Sequence, residues 1–153
     1  MTPLTLGGLM VPAVSTFDAR GDLDRAAFQF NLEAHLAHGV DGVLVAGSSG
    51  ESALLDDDDR RTLLAWARET VPDTKWLLAG VGSESTRQTI ARARDAKAAG
   101  ATAALVISPH YFLKRMTEEA LLAHFRAVAD ASPLPVMLYN LSLIHISEPT
   151  RPY

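Results

Sequence analysis

The sequence has no cysteine among its 153 residues, and this absence excludes disulfide scaffolds, thiolate metal sites and cysteine nucleophiles. It also lacks a basic excess. The net charge of -4 and the pI of about 5.7 argue against a nucleic-acid partner, because a phosphate backbone needs a basic face. No apolar run reaches the roughly 20 residues needed to span a bilayer, and residues 1–17 do not have the basic start of a signal peptide. We therefore expect a cytoplasmic protein with no membrane partner.

What the chain does contain is a regular alternation of apolar runs and helical patterns, with 48% hydrophobic residues, enough for the core of one domain. Continuous apolar runs are typical of buried parallel strands, and apolar residues three and four apart are typical of helices. The predicted strands lie within 9–15, 42–46, 76–81, 103–107 and 135–139. The predicted helices cover 25–38 after Asp24, 57–70 after Asp56, a segment from Ser85 or Thr86 to Gly100, and a segment after Thr117.

This alternation predicts an α/β fold with about five parallel strands and four helices. Two architectures fit the pattern. A doubly wound sandwich would be complete with five strands, whereas a (β/α)8 TIM barrel needs about 250 residues and would be present only as a truncated barrel. Length alone favours the sandwich, so the residues that follow each strand must decide between the two.

A glycine-rich turn, Gly47-Ser48-Ser49-Gly50-Glu51-Ser52, follows the second predicted strand. Its glycines let the backbone approach a ligand, and its hydroxyls and amides form a cradle for a small carboxylate or phosphate. The other interpretation is an ordinary turn whose hydroxyls bond to their own backbone. The two interpretations have similar weight on the residues alone.

Two phenols follow later strands, Tyr111 after the fourth and Tyr139 at the end of the fifth. A phenol at a strand end can carry a proton, although a lone tyrosine there is more often a packing residue. Ligands of parallel sheets bind at the carboxyl ends of the strands. These phenols and the Ser48-Ser49 turn converge only if the sheet curves, and this favours the barrel.

Other polar clusters are better explained by structure than by chemistry. Asp56 to Asp59 lie at a predicted helix start, where negative charge is stabilising, and four consecutive acids cannot all face one ion. His35 and His38 share a helix without a third ligand. We therefore expect no metal and no cofactor.

These motifs, in this order, resemble the dihydrodipicolinate synthase / N-acetylneuraminate lyase family of class I pyruvate-dependent aldolases. The resemblance runs from about Gly8 to Asn140, and five short motifs in register carry it. They are Pro12-Ala13-Val14-Ser15-Thr16-Phe17, the 47–52 turn, Ala79-Gly80-Val81-Gly82, Ser108-Pro109-His110-Tyr111 and Leu138-Tyr139-Asn140. The stretches 77–80 and 111–116 resemble 4-hydroxy-2-oxoglutarate aldolase-like members most.

The resemblance implies a (β/α)8 barrel, usually a homotetramer, in which a strand-six lysine forms a Schiff base with pyruvate or another 2-oxo acid. It implies that Ser48 belongs to a proton relay and that Ser49 binds the carboxylate, within a substrate-binding turn that includes Gly50. Tyr139 would be the acid/base near the imine. Tyr111 would complete the relay, in many members across a subunit interface.

The resemblance stops at Asn140, before the strand that would carry the lysine. We predict that 1–140 is the amino-terminal part of an aldolase barrel and that 141–153 is a non-homologous tail. Residues 141–151 resemble the conceptual translation of a transposon adapter used in DNA library preparation. We therefore expect the chain as given to lack lyase activity. The alternative is a complete doubly wound domain that binds a small anion without catalysis.

Overall fold

The computed structural model describes residues 6–112 and 115–140, in which strands and helices alternate as predicted. The strands are β1 Met10–Pro12, β2 Gly42–Val45, β3 Trp76–Gly80, β4 Ala103–Ile107 and β5 Val136–Tyr139. The helices are α1 Arg25–Ala37, α2 Asp57–Thr70, α3 Thr86–Ala98 and α4 Glu118–Ala131. The predicted tail, 141–153, lies outside the described residues. Within the described residues, no helix is both long enough and apolar enough to cross a membrane.

Each helix begins after a short polar residue that accepts a hydrogen bond from an exposed amide of the first turn. The four caps are Asp24, Asp56, Ser85 and Thr117. Such caps stabilise a helix by about 1 kcal/mol each, because the first amides have no partner within the helix. The cap predictions are therefore confirmed, with Ser85 rather than Thr86 before α3.

The five strands lie in the order β1-β2-β3-β4-β5, and every neighbouring pair is parallel. Right-handed crossovers that always step in one direction place all their helices on the same face of the sheet. A doubly wound sheet needs a reversal of strand order, which would send helices to both faces. The sequential order is that of a (β/α)8 barrel, so the alternative of a complete doubly wound domain is wrong. The fold is a truncated barrel.

The two faces of the sheet bury different side chains, since successive residues of a strand point to opposite sides. One face packs against the helices through Val43, Val45, Leu77, Ala79, Ala104 and Val106, all at most 1% exposed. The other face carries Leu44, Leu78, Leu105 and Ile107, which line a cavity. The inner face of the barrel therefore leads directly to the carboxyl ends of the strands.

Candidate functional site

The turn after β2 has a strained and well-defined backbone. Ser48–Gly50 form one turn of 3-10 helix. Ala46, two residues before this turn, and Glu51, directly after it, have left-handed φ values of 54° and 56°. Residues other than glycine adopt this region at a cost in free energy, and such strain is concentrated at functional sites. The geometry marks this turn as a candidate site.

Ser48 and Ser49 are both exposed at the surface of the turn. Among the described residues no acceptor takes the N–H of either serine, and no hydrogen bond engages either hydroxyl. The next two amides are used internally, since Gly50 N donates to Gly47 O and Glu51 N donates to Ser48 O. The arrangement fits the cradle interpretation better than the self-bonded turn.

A cavity of about 260 Å³ opens beside these serines at the carboxyl ends of the strands. Its walls are apolar inner-face side chains, and its polar groups include Ser48, Ser49 and the half-buried Tyr139. A small apolar cavity with a few polar groups at one end is typical of a site for a small organic ligand. The structure thus brings three of the predicted site residues together.

A second cavity, of about 580 Å³, adjoins the first, and Ser48 lines both. Tyr111 lines this second cavity, and 77% of its surface is exposed. The Glu84 carboxylate accepts hydrogen bonds of 3.1 Å from the backbone amides of His110 and Tyr111, which fixes the start of that loop. Ser48 therefore lies between the cavity of Tyr139 and that of Tyr111.

Gly50 is the buried residue of the turn, and it lines neither of the two cavities. The Ser15 hydroxyl donates to Gly50 O at 2.7 Å, and a Cβ at position 50 would lie 2.8 Å from Ala13 O. Glycine is required here because the turn packs directly on the chain that follows β1. In the structure this residue supports the shape of the turn, and its role in substrate binding stays a prediction.

The lysines of the described residues lie away from both cavities. Lys75 precedes β3, at the opposite end of the sheet, and its Nζ donates to Val40 O at 2.5 Å. Lys97 is in the last turn of α3. Lys114 lies outside the described residues.

Two arginines that the motif analysis did not single out hold the loops around the site. Arg60, 6% exposed, donates to Gly80 O at 3.1 Å and to Ser52 O, and burial lowers its pKa to about 10. Arg92 donates to Gly82 O at 3.0 Å and to Asp57 Oδ1 at 2.7 Å, a bond that holds the pKa of the Asp57 carboxyl below its usual value. Both arginines thus donate to carbonyls at the carboxyl end of β3: Gly80 is the last residue of this strand, and Gly82 follows it.

The sequence does contain a pattern that could have identified Arg60 as a buried residue with a specific role. The buried positions of α2 are 60, 63, 64 and 67, a helical stripe that is otherwise Leu63, Leu64 and Ala67. A charged residue within an apolar stripe requires a specific set of partners, because an unpaired buried charge is costly.

The acidic run before this stripe has the structural role that was predicted. Asp56 and Asp59 form a reciprocal capping box, and Asp58 pairs with Arg61 on the surface. These contacts explain the acidic run by its position at the start of α2, where carboxylates cap the free amides and are stabilised by the helix dipole.

Taken together, sequential parallel strands with a small polar site at their carboxyl ends define part of an enzyme barrel of the (β/α)8 class. A family model confirms the class and makes it specific: the model described as "Dihydrodipicolinate synthetase family" matches residues 5–145. The chain belongs to this family, and the predicted resemblance is confirmed.

Relatives within the family are similar over nearly all of this chain. The 4-hydroxy-tetrahydrodipicolinate synthase of Xanthomonas campestris is 44% identical over 138 residues, which are 90% of this chain and 45% of the relative. Dihydrodipicolinate synthase from Acinetobacter baumannii, solved with pyruvate, has a TM-score of 0.84 at 30% identity and covers 90% of this chain and 46% of that structure.

An E. coli prophage protein of the dihydrodipicolinic acid synthase family, also solved with pyruvate, has a TM-score of 0.83 at 33% identity, with 90% of this chain and 46% of that structure covered. The chain thus spans about half of the length of the relatives it matches.

Proposed function

We propose that this chain is the amino-terminal part of a Schiff-base-forming lyase or aldolase that makes or breaks a carbon–carbon bond of pyruvate or another 2-oxo acid. The observation that carries the proposal is the cavity lined by Ser48, Ser49 and Tyr139, together with the two serine amides that have no acceptor among the described residues. Two structural neighbours were solved in complex with pyruvate, which supports a 2-oxo acid as the ligand.

The chemistry assigns a role to each of these groups. A lysine amine attacks the keto carbon, water leaves, and the resulting iminium accepts the electron pair of the adjacent carbon–carbon or carbon–hydrogen bond. The amide and hydroxyl of Ser49 bind the carboxylate. Tyr139 transfers protons to and from the carbonyl oxygen, and Ser48 connects it with Tyr111. No step needs a metal or an organic cofactor.

In this proposal the amine comes from a strand beyond the described sheet. Of the lysines that the structure describes, neither Lys75 nor Lys97 lies at the cavity. We therefore propose that the 153-residue polypeptide has no turnover alone, that 1–140 is its barrel portion, and that 141–153 is not part of the barrel. The complete protein is a cytoplasmic homotetramer in this proposal. The curated relatives are named as synthases, and a likeness to 4-hydroxy-2-oxoglutarate aldolases stays a prediction.

Borohydride reduction in the presence of pyruvate tests the proposal. We define the completed barrel as residues 1–140 of this chain joined to the carboxyl-terminal remainder of the Xanthomonas campestris relative. Intact-mass spectrometry should show one reduced pyruvate on each completed barrel and none on the 153-residue chain. Succinate, which has carboxylates but no ketone, serves as the control and should give no adduct. Circular dichroism and a cooperative urea transition first establish that the completed barrel is folded. An adduct on the 153-residue chain, or none on the folded completed barrel, would then contradict the proposal.

A Ser49→Ala variant tests the carboxylate cradle. We expect the pyruvate concentration that gives half-maximal trapping in the completed barrel to rise about tenfold, since hydrogen bonds to charged groups contribute roughly 1.5–3 kcal/mol. Ser49→Thr keeps the hydroxyl and should stay within about threefold of the unsubstituted protein by the same reasoning. If the half-saturating pyruvate concentration is the same in the unsubstituted protein and in both variants, the Ser49 hydroxyl does not bind the carboxylate.

A further inference from the structure

The turn that carries Ser48 and Ser49 does not hold its shape through local propensity. Ala46 and Glu51 both occupy the left-handed region, which favours glycine. Strained conformations of this kind persist only where surrounding contacts enforce them. The turn must therefore be held by residues outside it, and the structure shows which.

Arg60 is the side chain that holds the far end of the turn. One of its nitrogens donates to Ser52 O, the last residue of the 47–52 loop, and another donates to Gly80 O at 3.1 Å. Gly80 lies directly against the start of the same loop, since a Cβ built at position 80 would be 2.1 Å from Ala46 O. One guanidinium thus joins the end of the loop to the strand on which the beginning of the loop rests.

The planar guanidinium is suited to this bridge. Its donors point in fixed directions, so it reaches two carbonyls at once, which a lysine ammonium on a flexible stem does less well. Arg60 is buried at 6% exposure, and its Nε has no partner among the described residues. A buried charge of this kind is costly to retain where it has no role.

We propose that Arg60 is a positioning residue that keeps the Ser48–Ser49 turn in the shape that binds the 2-oxo acid carboxylate, an inference that rests on the proposed function. Arg60 lines the second cavity and not the first, so it acts on the ligand through the turn and not by contact. Its loss should therefore weaken pyruvate binding without removing the reacting amine.

The test is pyruvate trapping in the completed barrel with Arg60→Met and Arg60→Lys. We expect the half-saturating pyruvate concentration to rise about tenfold for Arg60→Met and by a smaller factor for Arg60→Lys, while the maximal extent of trapping stays unchanged. Arg61→Met is the matched control, because the adjacent arginine pairs with Asp58 and Asp95 on the surface. It should leave half-saturation unchanged.

A double variant separates positioning from a general effect on stability. If Arg60 acts through the turn, Arg60→Met should raise the half-saturating pyruvate concentration by a smaller factor in a Ser49→Ala background than alone, because the Ser49 hydroxyl that it positions is absent there and only the amide remains. If the Arg60→Met protein does not fold, the same comparison is made with Arg60→Lys, alone and together with Ser49→Ala.

The outcomes are distinct. The positioning role is overturned if the half-saturating pyruvate concentration of both Arg60 variants stays within twofold of that of the unsubstituted protein. It is also overturned if the factors by which Arg60→Met and Ser49→Ala raise this concentration simply multiply in the double variant. The proposed function stands in both cases. Failure of the unsubstituted completed barrel to trap pyruvate overturns the proposed function, and this inference with it.

Discussion

A Tyr139→Phe substitution in the completed barrel is expected to slow imine formation from pyruvate by about 1,000-fold, within the range typical of a lost general acid/base. Tyr139, the last residue of β5, lines the same cavity as Ser48 and Ser49, and in the proposed mechanism its phenol protonates the oxygen that leaves the keto carbon. Rapid-quench borohydride trapping measures this rate directly and needs no knowledge of the second substrate.

The half-saturating pyruvate concentration should change little in this variant, because Ser49, which binds the carboxylate in the proposed mechanism, is unchanged. Leu138→Met is the control, since residue 138 points to the opposite face of β5, beside Val106, and the substitution nearly conserves side-chain volume. A Tyr139→Phe protein that forms the imine within a few-fold of the original rate would remove the phenol from the proposed mechanism.

A Gly80→Ala substitution is expected to destabilise the fold by about 3 kcal/mol, the upper part of the range for overpacked sites. The new Cβ would lie 2.1 Å from Ala46 O and 2.7 Å from Ala46 C. Both are backbone atoms of a residue already held in the left-handed region, so no side chain can move to relieve the contact. Urea denaturation of the completed barrel, followed by circular dichroism, measures the loss.

Gly7→Ala provides the matched control, because no atom of the described residues lies within 4 Å of a Cβ at that position. Its free energy of unfolding should stay within about 0.5 kcal/mol of the original, as for most surface substitutions. A loss below 1 kcal/mol for Gly80→Ala would show that the end of β3 can separate from the loop after β2 more easily than the structure indicates.

The helices and strands were predictable because their signals are local. A cap such as Asp24 or Thr117 must lie beside the helix that it stabilises, and the apolar runs of β2 to β5 are continuous. The least accurate boundary was the first strand, predicted within 9–15 and observed at Met10–Pro12. There the apolar run continues past the residues that pair with β2, so hydrophobicity overstates the length of the strand.

The architecture needed information that apolar patterning does not contain. Strand order is a property of the pairing between distant segments, and both architectures have the same alternation of elements. The two strand-end phenols were the feature that favoured the barrel, and the observed order confirms it.

Arg60 was not predicted as a site residue, because its partners are backbone carbonyls, and any residue type can supply a backbone carbonyl. The roles of Ser48, Ser49, Tyr111 and Tyr139 stay predictions, although the structure brings them to two adjoining cavities.

The sequential strand order also bears on how the chain is made. Each strand of the described sheet pairs with the strand that precedes it in the chain, and all of these pairings lie between residues 10 and 139. Each of these pairings needs only the strand immediately before it in the chain, so none has to wait for a strand that is made later. As the polypeptide leaves the ribosome, each strand from β2 onward can therefore pair with the strand that was synthesised before it, and the sheet can be assembled in the order of synthesis.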